Sequence, residues 1–178
     1  MNFPQHTEES APEESKETLA AVKADFGMIP NLERTLAAAP PVLKGYATLW
    51  ELFEQTSLSP IERQVVYQTA NFYNNCTYCL PWHTLLSQEA GMPEEEIDNL
   101  RRGHPLLDAK LHALRTFTLN LLDHRGHPPQ AALDAFFTAG FTPEQSMEVI
   151  LGLATKLMSN YTNGIAKTPL DQEVQHLT

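Results

Sequence analysis

An all-α fold follows from three features of the 178-residue sequence. Apolar residues recur at intervals of three and four along most of its length. Helix-capping residues, first-turn prolines and terminal glycines divide that pattern into short segments. No run alternates apolar and polar residues with a period of two, so no strand or hairpin is expected. The length suits one domain with a sizeable core. Residues 13–170 are assigned to it, with residues 1–12 as a flexible N-terminal arm and 171–178 as a polar C-terminal tail.

The elements follow in order. The arm is polar and carries Pro4 and Pro12. From Glu13, the residues Leu19, Val22 and Phe26 recur at helical spacing, and Gly27 can take the left-handed conformation that ends a helix. Ile29-Pro30-Asn31 is a turn, followed by a short helix near Leu32 to Ala38. Pro40-Pro41 opens the next helix, whose expected inner face is Val42, Tyr46, Leu49, Trp50 and Phe53. Ser59-Pro60-Ile61-Glu62 is a helix start: Ser59 caps, Pro60 suits the first position, and Glu62 completes a capping box. Its expected face is Ile61, Val65, Thr69 and Phe72, and it ends at Asn74-Asn75.

Pro81 is tolerated only in a first helical turn, so a new helix should begin near Cys79 and run to Ala90, before Gly91. A short helix from Pro93 to Arg102 starts with Glu94, Glu95 and Glu96, as the helix dipole favours. An amphipathic helix runs from Asp108 to about Arg125 with Leu111, Leu114, Phe117 and Leu121. Another spans Pro128 to Ala139. Thr142-Pro143-Glu144-Gln145 repeats the logic of Ser59, and the last long helix fades at Asn163-Gly164. The two matched starts each lead to an Asn-rich end, Asn71 to Asn74 and Asn160 to Asn163, which hints at an internal duplication. Many helices joined by short loops fit an antiparallel bundle.

Composition excludes several classes. The formal charge is −10, with no basic patch for nucleic acid. No apolar run approaches membrane-spanning length. The first residues lack a basic start and an apolar signal core, so a cytoplasmic location is expected. No Gly-rich phosphate loop marks an organic cofactor, and none is expected.

Both cysteines lie in Cys76-Thr77-Tyr78-Cys79-Leu80-Pro81-Trp82-His83. In a reducing compartment a Cys-x-x-Cys pair is more often redox-active or metal-binding than a structural disulfide. On a helix His83 shares a face with Cys79. A neighbouring imidazole can take the thiol proton or stabilise the thiolate, which is the reactive form. The helix start also favours negative charge on Cys79. Cys79 is therefore the candidate nucleophile and Cys76 the resolving thiol. Peroxide would oxidise Cys79 to a sulfenic acid, Cys76 would condense with it, and an external dithiol would reset the pair. Two other readings stand beside this one. A non-catalytic helical oligomer could use the pair as a redox sensor. Alternatively, Cys76, Cys79 and His83 could ligate a structural metal, with His104 or His112 as a distant fourth ligand. Asn160 and Tyr161 are candidates for lining a pocket or an interface, against ordinary packing.

Leu58 to Val66, with Asn75 to His83, resembles the core of the AhpD-like alkylhydroperoxidase and carboxymuconolactone decarboxylase superfamily. Phe26 to Asn31, Ser159 to Asn163 and Thr168 to Asp171 resemble its longer peroxidase-related members. The resemblance spans roughly residues 17 to 172. It implies an all-α, AhpD-like helical bundle assembled as a homo-oligomer, commonly a trimer or hexamer. It also implies hydroperoxide reduction by the second cysteine, with an external dithiol or thiol protein as reductant. In the AhpD type the histidine and an upstream glutamate form a proton relay. His83 matches the histidine, but the glutamate position, twelve residues before Cys76, is Gln64. A glutamine cannot shuttle protons as a carboxylate does. Glu62 lies about 200° around the helix from Gln64, so it is a capping residue before it is a substitute.

Overall fold

A computed structural model describes residues 3–178. Among these, nine α-helices and one 3-10 helix account for all regular structure. In chain order they are α1 (Glu13–Phe26), α2 (Asn31–Leu36), α3 (Pro40–Glu54), α4 (Pro60–Tyr73), α5 (Cys79–Glu89), α6 (Glu94–Arg102), α7 (Ala109–Asp123), α8 (Gln130–Thr138) and α9 (Pro143–Ala166). The 3-10 helix Gln172–Leu177 follows. None of these helices is long and apolar enough to cross a membrane.

Punctuation by caps and breakers fixes the boundaries. Gly27 ends α1 with φ 72°, in the left-handed region. Both capping boxes form. Ser59 Oγ accepts from the Glu62 N–H and Glu62 Oε2 from the Ser59 N–H; Thr142 and Gln145 do the same for α9. Each cap contributes about 1 kcal/mol.

The helix α4 is central, packed against α5, α7 and α9, while α3 lies along α9. One core cluster joins Val65, Val66 and Tyr67 of α4 to Phe53 of α3, Leu114, Phe117 and Leu121 of α7 and Val149 of α9. Stacked rings of Phe117, Phe136 and Phe141 extend it. The close approach of α9 depends on Gly152, where a Cβ would lie 2.6 Å from the Phe53 ring and 2.9 Å from Val66. A second cluster joins Leu19, Ile29, Leu32, Leu36, Leu43 and Tyr46 to Cys76, Tyr78 and Cys79. The cysteine segment is thus part of a core rather than a surface loop.

Several expectations shift. Leu43 is buried where Val42 was expected, and Val42 and Phe72 are exposed. The helix α9 continues past Asn163-Gly164 to Ala166, and Lys167 ends it with φ 52°. The tail is docked: Val174 is fully buried, and Arg101 donates to the Leu177 carbonyl at 2.7 Å. Asp171 holds its base by accepting from the Asn31 N–H at 3.0 Å, from Trp82 Nε1 at 2.9 Å, and from the Tyr78 hydroxyl. A polar composition concealed this because one buried carboxylate and one valine suffice to anchor it. At the other end, Met1 and Asn2 lie outside the described residues. Residues 7–10 form a turn, and the His6 N–H donates to the Arg34 carbonyl at 3.0 Å.

Candidate active site

The local chain path places the cysteines. Asn75 adopts φ 51°, a left-handed conformation that asparagine tolerates, and turns the chain out of α4. The Cys76 N–H donates back to the Asn71 carbonyl at 2.9 Å. The Cys76 carbonyl accepts from the Cys79 and Leu80 N–H groups, both at 3.1 Å, and so starts α5. Cys79 is the first residue of α5 and Pro81 the third, where its missing N–H costs nothing. The Cys79 N–H also lies 3.3 Å from Cys76 Sγ. Both thiols are buried and free.

Cys79 Sγ accepts from Asn160 Nδ2 at 3.1 Å and from Asn163 Nδ2 at 3.3 Å. Asn163 Nδ2 also lies 3.8 Å from Cys76 Sγ. The amides are themselves held: Asn160 Nδ2 donates to Asn71 Oδ1 at 2.9 Å, and Asn160 Oδ1 accepts from Asn74 Nδ2 at 3.0 Å. The Asn-rich ends of α4 and α9, which the sequence pairs as a repeat, therefore meet at the sulfurs.

Lys156 of α9 is only 1% exposed. Its ammonium lies 2.9 Å from His83 Nε2 and 5.4 Å from the centre of the Tyr67 ring. An ammonium can only donate, so His83 Nε2 carries a lone pair and the proton sits on Nδ1. That Nδ1–H donates to Gln64 Oε1 at 2.8 Å. Burial, then the Lys156 charge, push the His83 pKa well below its usual value. His83 is thus a neutral imidazole with both nitrogens engaged, and it makes no hydrogen bond to either sulfur. Gln64 fits this arrangement, because an amide oxygen accepts without drawing a second proton onto the ring.

Burial alone would raise the Cys79 pKa. The hydrogen bond from Cys76, the Lys156 charge and the two asparagine amides outweigh it and bring the thiol down to about 6. Cys76, as the donor toward Cys79 and itself buried, is pushed far up. Of the pair, Cys79 is the one shifted toward the thiolate form.

Glu33 of α2 is 6% exposed, and its Oε2 has no hydrogen-bond partner among the described residues. Burial, with lesser contributions from Asp171 and Cys79, raises its pKa to about 8 against the opposing Glu33 backbone hydrogen bond and Lys156 charge. Glu33, Cys79, His83 and Lys156 line one cavity of about 40 Å³, walled by Phe26, Tyr46, Trp50, Trp82 and Leu86. That is room for one or two waters or a hydroperoxide head group.

Glu62 lies elsewhere. Beyond its cap it pairs with Lys110 at 2.7 Å. Burial opposes ionisation there, but the bonds from Lys110 and Ser59 prevail and lower its pKa. Among the described residues no group of three or more His, Cys, Asp or Glu side chains is placed to hold a metal. His112 Nδ1 instead accepts from the Leu106 N–H at 3.2 Å.

Sequence reasoning missed Lys156 and Glu33. Lys156 had a signal, being a lone cation within the apolar run of α9. Glu33 had none, since an acid in a six-residue helix reads as surface.

Comparison with known proteins agrees with this architecture. Residues 40–115 match the carboxymuconolactone decarboxylase family model. No curated protein sequence gives a significant match. Among solved structures, the AhpD-core peroxidase-related protein of Ralstonia eutropha JMP134 superposes with a TM-score of 0.85 at 18% identity, covering 97% of this chain and 93% of that one. A peroxidase-related protein of Silicibacter sp. TM1040 gives 0.81 at 18%, covering 98% and 92%. The debrominase Bmp8, as a Cys-to-Ala variant with 2,3,4-tribromopyrrole, gives 0.81 at 11%, covering 99% and 95%. At these identities the likeness concerns the fold. Over residues 40–115 the chain is similar to the carboxymuconolactone decarboxylase family, and its fold is that of the AhpD-core proteins.

Proposed function

We propose that this protein is a cysteine-based peroxidase that reduces a hydroperoxide at Cys79 and resolves the product with Cys76. One observation carries the reading. A sulfur fixed by two amides and by the charge of Lys156 sits in a small, mostly apolar cavity beside a carboxyl group of raised pKa.

The Cys79 thiolate attacks the terminal oxygen of ROOH. The S–O bond forms, the O–O bond breaks, and RO⁻ leaves. Protonated Glu33 supplies the proton that makes ROH, the work a carboxylate relay would do; its pKa of about 8 keeps it loaded at neutral pH. The Cys76 thiol then attacks the Cys79 sulfenic acid, releasing water and forming the disulfide. His83 and Gln64 act through Lys156, whose ammonium they orient. An external thiol resets the pair, as a reducing compartment such as the cytoplasm would allow. The apolar stripe of Met147, Ile150, Leu157, Tyr161 and Ile165 exposed along α9 supports self-association.

Mass spectrometry before and after peroxide, with turnover followed under excess dithiol, tests the proposal. A Cys76–Cys79 disulfide and catalytic turnover are expected, both lost in Cys79→Ser. Unchanged peroxide consumption by that variant would overturn the mechanism. Stoichiometric oxidation without turnover would make the protein a redox sensor instead.

A further inference from the structure

The two cysteines open onto different spaces. Cys79, without Cys76, lines the apolar cavity with Glu33 and Lys156. Cys76, without Cys79, lines a separate polar cleft of about 240 Å³ with Asn75, Thr77, Asn163, Lys167 and Thr168. Only Tyr78 borders both.

The cleft has the features of a built site. Asn163 is 6% exposed, and its Nδ2 is turned to the sulfurs while its Oδ1 has no partner among the described residues. Thr168 Oγ1, on the same cleft, is likewise buried and without a partner. Both oxygens leave hydrogen-bonding capacity unused beside the cleft, which is unusual for buried polar atoms. Lys167, exposed at the end of α9, adds a positive charge. Amide and hydroxyl groups with one cation match a short peptide carrying carboxylates. They do not match a hydrocarbon arm.

We propose that this polar cleft docks a small, hydrophilic peptide thiol, which attacks Cys76 of the oxidised pair while the peroxide cavity serves Cys79. The proposal rests on the redox reading of the pair. The balance is simple. The incoming thiolate forms a bond to Cys76 Sγ, the Cys76–Cys79 bond breaks, and Cys79 leaves as thiolate. A second peptide thiol then attacks the sulfur of the first, giving the peptide disulfide and the Cys76 thiol. The direction suits the chemistry, because the thiol of lower pKa is the faster leaving group and Cys79 is the one held to about 6. Substrate and reductant thus reach one disulfide without sharing an entrance.

The test uses full-length protein whose disulfide is made with diamide, so it does not depend on peroxide turnover. Reduction is followed by stopped flow with glutathione and with β-mercaptoethanol, compared at equal thiolate concentration. Glutathione should react faster. Lys167→Glu should slow glutathione about fivefold, as loss and reversal of one exposed charge contact implies, and leave β-mercaptoethanol within about twofold. Lys167→Gln should fall between. Acid-quenched samples should carry the glutathione adduct on Cys76 by peptide mapping. An adduct on Cys79, no preference for glutathione, or an equal effect of Lys167→Glu on both thiols would overturn the proposal. A protein that passes this test but forms no disulfide with peroxide would refute the peroxidase reading and leave the cleft assignment standing.

Discussion

Glu33→Gln separates a functional carboxyl from a structural one through its effect on stability. Glu33 is raised to about 8 in the folded protein from a usual 4.5, chiefly by burial. Between those values the folded chain holds a proton that the unfolded chain has released, so stability falls as pH rises across this window. Below about 4.5 both states are protonated, and the residue imposes no ionisation cost. At about 1.4 kcal/mol per pH unit, the loss from pH 5 to pH 8 is about 3 to 4 kcal/mol. Glutamine keeps the shape and polarity of the neutral acid but cannot ionise. The variant should therefore match the wild type near pH 4.5 and exceed it by about 3 to 4 kcal/mol at pH 8. Urea unfolding at equal protomer concentration measures this, and comparison with the wild type cancels every other titrating group. The same variant should lose peroxide reactivity, and with it the falling limb near pH 8 that the loaded acid produces. A stability difference that stays flat from pH 5 to pH 8 would refute the reasoning, because Glu33 would then be ionised throughout. A gain in stability with a loss of rate is the pattern expected where a site is strained for its chemistry.

Three further outcomes follow from the geometry. Lys156→Met removes the buried cation beside the thiolate; the pH midpoint of Cys79 alkylation should move from about 6 to about 8, since an opposite charge at close range is worth about 1 to 3 pH units. At pH 7 this lowers the alkylation rate about tenfold, and an unchanged midpoint would show that Lys156 is not what holds the charge. Asp171→Ala removes the acceptor shared by Asn31, Tyr78 and Trp82; it should cost about 3 kcal/mol and speed amide exchange in Gln172–Leu177. Ile150→Lys with Leu157→Lys, on the exposed face of α9, should convert an oligomer to monomers by light scattering with α-helical circular dichroism retained.

The fold was legible because its boundaries are local events. Gly27, Ser59, Pro60, Thr142 and Pro143 each act on their own turn of backbone, so a single sequence suffices to place α1, α4 and α9. The inward faces were less legible. Val42 and Leu43 are both apolar, and which of them is buried depends on where α9 crosses α3, set by the Phe53–Gly152 contact. Docking of residues 171–178 has the same character. It depends on Asp171 meeting Tyr78 and Trp82 from a distant part of the chain.

The site divides along the same line. Cys76, Cys79 and His83 stand within eight residues, and helical spacing alone relates them. The groups that charge the site come from elsewhere: Glu33 from α2, Lys156, Asn160 and Asn163 from α9, and Asn71 from α4. Gln64 shows what this hides. Read as a lost glutamate, it suggests a disabled relay. In place, it accepts the Nδ1 proton of a neutral His83 whose other nitrogen receives a buried ammonium. A carboxylate at position 64 would favour the imidazolium, placing two cations about 3 Å apart in a core where like charges are scarcely screened. Glutamine is therefore the residue that suits the Lys156 contact, and in the proposed mechanism the acid enters through Glu33. Gln64→Glu should then raise the His83 pKa and slow peroxide reduction. A faster Gln64→Glu variant would return the relay to position 64 and remove Glu33 from the mechanism.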